Sequence, residues 1–288
     1  MMLTTFLVTA NFIFFFYSSK ASAQDGFFKT TIGGLNVTAI ADNAGVMDFS
    51  VLNDIDQAAL DKAKEKAALP DDAKGFDSYV NVFVVETKAG LVLVDAGYGR
   101  GLPENIKKAG INPDDIAYIF LTHFHPDHIT GLVTSSGKPF FPNASVYASD
   151  LEDEYWSSDP KRAEQVKKAL DPYGDRYKTF KEGETIIEGA KPVALYGHTP
   201  GHTGFLFEGE GQNLLVWGDI VHVRFVQFDN PSISVSYDVD PQTAVQTRLK
   251  LFADLVQSGD VIAGTHLPYP GIGSLAKSGE AYDYSSIF

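Results

Sequence analysis

The sequence predicts a layered α/β protein on three observations: Val-rich segments broken by Gly-containing turns, helical segments spaced to cover them, and histidines placed where strands end. With 288 residues, the chain is long enough for one large domain with a substantial buried core. No low-complexity linker or periodic repeat divides it, so a single domain is expected over residues 24–288. The first 23 residues stand apart. An uncharged apolar stretch from Leu3 to Tyr17 is too short for a comfortable membrane span and is followed by Ala21-Ser22-Ala23, which reads as a secretory signal with its cleavage site. The expected product is periplasmic or secreted, with no stable membrane association once the signal is removed. Since the chain contains no cysteine, core packing or bound metal must hold it together in place of disulfides.

The elements follow in chain order. Residues 79–87, YVNVFVVET, and 91–97, LVLVDAG, make a Val-rich hairpin across Lys88-Ala89-Gly90. NIKKAG is a short helix ending at Gly110, and IAYIFLT, residues 116–122, is a buried strand that runs straight into a cluster of histidines. SVYAS continues the strands. Asp150 is placed to cap a helix through LEDEYWSS, and PKRAEQVKKAL is helical by composition. The second half repeats the plan. GFLFEGEGQNLLVWGD reads as a hairpin, and a helix starts at Asp240 with Pro241 at its first position. Val245, Leu249, Phe252 and Val256 share one face of that helix, which ends near Gly259, and VIAGTH is a last strand.

The chain has only seven histidines, and three of them fall with an aspartate in His123-Phe124-His125-Pro126-Asp127-His128. The others are His198 and His202 in GHTPGH, His222 in WGDIVH, and His266 in GTH, each in a Gly-rich or strand-end segment. Metal binding explains this clustering better than packing does. At an extended strand end, His123 and His125 face the same side and can reach one ion. Pro126 stops further pairing, so Asp127 and His128 on the next turn can address a second ion. Two neighbouring cations need an anion between them, and Asp219, after Gly218, is placed to supply it. Asp95, at the end of LVLVDAG, suits either a supporting or a turn-forming role.

In that order, HFHPDH, GHTPGH, GD and GTH, with LVLVDAG before them, resemble the metallo-β-lactamase superfamily. VQFDNPSIS, LFADLVQSGD and HLPYPGIG are similar to its methyl parathion hydrolase-like branch. The resemblance implies a four-layer αββα sandwich with metals at its edge. It further implies His123, His125 and His198 on one metal, Asp127, His128 and His266 on the other, and Asp219 bridging, with Asp127 and Asp219 also serving catalysis. His202 is then a supporting residue, and His222 matches no ligand position. Other branches fit less well: there is no cysteine ligand, no H-x-E-x-D motif with an added flavin domain, and no room for a large RNA-processing insertion.

The implied activity is hydrolysis of small neutral esters, lactones or organophosphate triesters, by a hydroxide shared between two divalent cations. Zinc suits these ligands best, with manganese, cobalt and iron compatible. A rival expectation is an exported metal-binding protein without hydrolytic activity. A nucleic-acid partner is not expected: the net charge is −14, and 22 basic against 37 acidic residues give −15 once Lys20 leaves with the signal. The partner is a small-molecule substrate, and the sequence leaves a homodimer open. Phe124, Trp156, Phe225 and Phe228 are the aromatic candidates for lining an apolar pocket.

Overall fold

The computed structural model describes residues 25–287, so the expected signal peptide lies outside the described residues. The first sheet has seven strands in sequential order, β1 Phe27–Ile32, β2 Leu35–Asp48, β3 Gly75–Thr87, β4 Gly90–Val94, β5 Ile116–Phe120, β6 Ser145–Ser149 and β7 Tyr177–Phe180. The second has six: β8 Ala190–Ala194, β9 Thr203–Phe207, β10 Leu214–Val216, β11 Val261–Ala263, β12 Ile272–Ser278 and β13 Ala281–Ser286. The helices are α1 Gln57–Lys66, α2 Leu102–Lys108, α3 Pro126–Ile129, α4 Asp150–Ser157, α5 Pro160–Leu170, α6 Arg224–Gln227 and α7 Pro241–Ser258. None among the described residues is long and apolar enough to cross a membrane.

Alternating side chains on the strands produce the layers. Phe83, Val85, Val92, Val94 and Phe120 of the first sheet pack against Phe205, Phe207, Val216 and Ala263 of the second. The opposite face of the first sheet, through Val84, Leu93 and Ile119, meets Leu102 and Ile106 of α2, Trp156 of α4 and Val166 and Leu170 of α5. The outer face of the second sheet, with Leu215 and Ile262, is covered by Leu251, Phe252 and Leu255 of α7. The fold is therefore an αββα sandwich, as expected.

Local expectations fare well where short-range chemistry decides. The β3–β4 and β9–β10 hairpins are antiparallel pairs, and α5 begins at Pro160 with Asp159 accepting from the N–H groups of Lys161 and Arg162. Gly259, at φ 72°, ends α7 as a left-handed cap. Two details differ. Asp150 is the first residue of α4 instead of its cap, and the preceding Ser149 makes no side-chain cap bond. On α7 the buried face is Ala244, Arg248, Leu251, Phe252 and Leu255, while Leu249 is exposed. The face turns because Arg248 is buried and donates to the carbonyls of Ile220, Pro231 and Ile233, so a charged side chain takes an interior position with its hydrogen bonds satisfied.

Candidate metal centre

Strand direction brings the site together. β4 runs parallel to β5, and β10 runs parallel to β11, so the segments that follow these strands emerge along one edge of the sandwich. Asp95 follows β4, His123 and His125 follow β5, Asp219 and His222 follow β10, and His266 follows β11. Pro126 opens α3 and places Asp127 and His128 in its single turn. His198 and His202 lie in the connection from β8 to β9, which delivers them to the same edge.

Two donor clusters result. His123, His125, His198 and Asp219 offer atoms that all lie within 4.8 Å of one another, and so do Asp127, His128, Asp219 and His266. Asp219 belongs to both. His125 Nδ1 lies 2.9 Å from His123 Nε2 and 2.9 Å from His198 Nε2. The Oδ2 atom of Asp219 is 3.6 Å from His123 Nε2, 3.4 Å from His198 Nε2 and 3.1 Å from His266 Nε2. Ligands about 2.0–2.1 Å from a tetrahedral cation stand roughly 3.3 Å from each other, so these separations suit a shared ion. One further observation favours cations: His128 Nε2 and Asp219 Oδ1 are buried facing each other at 3.1 Å, and neither atom has any other hydrogen-bond partner. The donor set therefore fits two divalent metals.

The outward nitrogens fix which atoms face inward. His128 Nδ1 lies 2.7 Å from Asp95 Oδ2, His198 Nδ1 2.8 Å from Asp238 Oδ1, and His266 Nδ1 2.7 Å from the Tyr79 carbonyl oxygen. A proton on each Nδ1 leaves the Nε2 lone pair pointing inward. Asp95 also accepts from the Thr122 N–H and hydroxyl, and its own backbone sits at φ 59°, unusual for a residue with a Cβ. It thus both turns the chain and supports His128. His202 differs from the other histidines. Its Nδ1 meets the Leu195 carbonyl, and its Nε2 accepts from the Asp219 N–H at 3.1 Å. Both nitrogens are engaged by backbone, so His202 fixes Asp219 and has no lone pair free for an ion. Gly218 is at φ 59°, and a Cβ there would stand 2.6 Å from His202 Nε2, so this contact requires glycine.

Charge balance sets the proton content of these clusters. Burial holds His123 neutral, with help from neighbouring imidazoles, and pushes His125 down to about 2. Burial also opposes protonation of His198, yet its hydrogen bonds to Asp219 and Asp238 carry it up to about 9. For His128 and His266 burial is likewise outweighed by Asp219 and nearby carboxylates, and both are raised. Protons at these positions neutralise buried carboxylates when no cation does. Adding zinc to metal-free protein at pH 7 is therefore expected to release protons, and zinc affinity should climb as pH rises through about 9. Calorimetry in buffers of different ionisation enthalpy measures this. Zinc uptake without proton release at pH 7 would contradict the charge balance.

The clusters form the floor of a cleft of about 510 Å³. Its floor includes His125, Asp127, His198, Asp219, His222 and His266, and its walls include Val46, Met47, Val80, Tyr98 and Tyr237. Of the four aromatic residues expected to line a pocket, none lines this cleft, but Phe225 lines a smaller adjoining cavity with His222 and His266. Phe124 and Trp156 lie in the core beneath the first sheet's helices, Phe228 packs with Trp217 and Phe252, and Phe225 joins a separate cluster with Val223 and Phe76. The walls instead come from segments far apart in sequence. His222 had no expected place, but it is buried with Nε2 3.3 Å from Asp219 Oδ2 and its ring stacked 5.0 Å from that of His266. Its spacing of three residues after Asp219 was the available signal.

Comparisons with known proteins agree with this geometry. The sequence pattern of the Metallo-beta-lactamase superfamily matches residues 75–271. A solved structure of hydrolase AbOPH in the beta lactamase superfamily is 34% identical, with TM-score 0.86, covering 91% of this chain and 98% of that one. AidC, a dizinc quorum-quenching lactonase solved with a product N-hexanoyl-L-homoserine, is 27% identical with TM-score 0.83, covering 91% and 98%. An N-acyl homoserine lactonase from Bacillus thuringiensis subsp. kurstaki is 25% identical over 154 residues, 44% of this chain. The match spans 58% of the length of that curated relative.

Proposed function

Because the chain belongs to the metallo-beta-lactamase superfamily, we propose that it is a dinuclear metal-dependent hydrolase of small neutral esters, lactones or organophosphate triesters, in the methyl parathion hydrolase-like branch. The observation that carries this reading is a 510 Å³ cleft whose floor exposes His125, Asp127, His198, Asp219 and His266 of the two donor clusters and whose described lining holds no Lys or Arg. In this reading His123, His125 and His198 hold one ion, Asp127, His128 and His266 hold the other, and Asp219 serves both. Zinc fits this imidazole and carboxylate set. Bound there, the cations would supply Lewis-acid polarisation of the ester oxygen and a water of lowered pKa.

The chain's own residues do the rest. Asp238, Asp95 and the Tyr79 carbonyl hold three imidazoles in one tautomer, so the donor geometry is set before substrate arrives. Val46, Met47, Val80, Tyr98 and Tyr237 present apolar surface that would bind the acyl or aryl part of an ester and displace water from it. No guanidinium or ammonium lines this cleft to hold a second phosphate oxygen, which disfavours an anionic diester there, and Arg224 lines only a smaller adjoining cavity that shares His222 and His266. The net charge of −14 repels anions at long range as well. The N-acyl homoserine lactonase relatives support the lactone part of that class.

The test compares kcat/KM for an acyl homoserine lactone, a nitrophenyl phosphotriester and a nitrophenyl phosphodiester on one metal-loaded preparation. The lactone and triester are expected to exceed the diester by tenfold or more, about 1.4 kcal/mol of transition-state preference. A diester hydrolysed best by that margin would reject the neutral-substrate reading. Two bound metals with no turnover of any of the three would favour a metal-binding protein without hydrolytic activity.

A further inference from the structure

Glu152 has no place in the chemistry above, yet it is among the most enclosed charged groups, 1% exposed in the first turn of α4. No cation is among its hydrogen-bond partners. Four donors converge on its carboxylate instead. Oε1 accepts from the Phe124 N–H at 3.0 Å and from the Trp156 indole N–H at 2.6 Å. Oε2 accepts from the Thr199 hydroxyl at 2.6 Å and from the Gly201 N–H at 3.1 Å.

These partners share one property. Phe124 stands between His123 and His125, and Thr199 directly follows His198, so one carboxylate ties together the two loops that supply the first donor cluster. Trp156 adds a third link, because its ring meets that of His125 edge to face with centroids 5.5 Å apart. Gly201 lets the second loop approach, since a Cβ there would collide with the backbone of Glu152. The second cluster is supported elsewhere, through Asp95 and the Tyr79 carbonyl, and none of Glu152's hydrogen bonds reaches it.

We propose that Glu152 is a positioning residue that sets the spacing between the His123–His125 loop and the His198 loop, and thereby sets the metal affinity of the first cluster independently of the second. This rests on the reading that each cluster binds an ion. Burying a carboxylate without a counter-cation is costly, and here four charge-assisted hydrogen bonds offset the cost only while both loops hold their places. Distortion of either loop orphans donors or carboxylate oxygens, so the spacing is stiff.

Glu152→Gln keeps the shape but turns one oxygen into an amide NH2. Facing Thr199 and Gly201, that group can donate to a rotated Thr199 hydroxyl but leaves the Gly201 N–H unpaired, which frees the His198 loop. The experiment is zinc titration of metal-free protein by calorimetry, with activity not used as the readout. Wild type should bind two ions. His266→Ala damages the second cluster, and in that background Glu152→Gln should weaken the remaining tight ion about 10- to 100-fold. His198→Ala damages the first cluster, and there Glu152→Gln should change the remaining affinity by less than about threefold. Thr199→Val, which removes one donor and spares the carboxylate, should give a smaller loss in the His266→Ala background and keeps the test open if Glu152→Gln does not fold. Equal weakening in both backgrounds, or none in either, overturns the role of Glu152. A wild-type protein that binds fewer than two ions overturns the metal reading itself.

Discussion

Replacing Asp219 with alanine is expected to abolish turnover and to weaken both metal clusters at once. The carboxylate is 3% exposed, and its Oδ2 lies within 3.6 Å of imidazole nitrogens from both clusters while Oδ1 faces His128 Nε2 at 3.1 Å. With the shared anion gone, two cations would face each other across a low-dielectric floor without compensation. A fall in kcat/KM of about 10⁴-fold or more is expected, on the order of 5 kcal/mol of transition-state stabilisation. Zinc content after dialysis should drop at both positions. His202→Ala should be milder, costing about 10- to 100-fold. That residue engages the Leu195 carbonyl and the Asp219 N–H, so its loss lets the bridging carboxylate drift without removing a donor. Metal analysis and kinetics on the two variants decide. Matching losses of both metals would mean that His202, and not His198, supplies the ligand nitrogen.

The parts of this site that were legible in the sequence are those whose chemistry is local. HFHPDH carries its own geometry, because a strand end, a proline and one helical turn arrange four side chains within six residues. In GHTPGH the choice between the two histidines comes from the family resemblance and not from local chemistry. His198 and His202 differ only in what lies behind them, Asp238 for one and Leu195 with Asp219 for the other. Long-range partners were not legible. Glu152 sits in DLEDEYW, an acidic run that reads as a solvated helix face, and nothing nearby tells it from Glu154. Its partners are as many as 49 residues away. The pocket walls failed for the same reason, since Val46, Val80, Tyr98 and Tyr237 meet only through the fold. The β1–β2 hairpin turns at Gly33-Gly34 between FFKTTI and LNVTAI, a local turn signal present in the sequence. The long β2 strand is harder to see because Asp42 breaks its register.

Asp42 supplies the largest stability effect expected outside the metal clusters. It is the extra residue of a bulge in β2, where the pairing with β3 shifts between Ala41 and Asn43. A bulge re-aims a side chain, and here it sends a carboxylate into the loop that follows β4. Oδ1 accepts from the N–H groups of Arg100, Gly101 and Leu102, and Oδ2 accepts from Tyr98 N–H at 2.7 Å. The same loop leads from Asp95, which supports His128, through Tyr98 in the cleft wall to the start of α2. Burial raises the Asp42 carboxyl above its usual range despite these four donors, so truncation removes an ion whose burial was itself unfavourable. The cost of Asp42→Ala therefore comes from the Tyr98, Arg100 and Leu102 N–H groups it leaves behind, since the Gly101 N–H keeps the Asp42 carbonyl at 2.8 Å. Backbone N–H groups without a partner cost about 1–3 kcal/mol each when water cannot reach them. Partial hydration of the loop should bring the total to about 3–4 kcal/mol, or roughly 10 °C in melting temperature for a domain of this size. Asp42→Asn should lose much less, because an amide oxygen at the Oδ1 position keeps three of the four bonds and only the Tyr98 N–H loses its acceptor. Denaturant unfolding of the metal-loaded protein measures both variants, and an alanine variant within about 1 kcal/mol of wild type would show that water replaces Asp42 and that the bulge does not hold this loop.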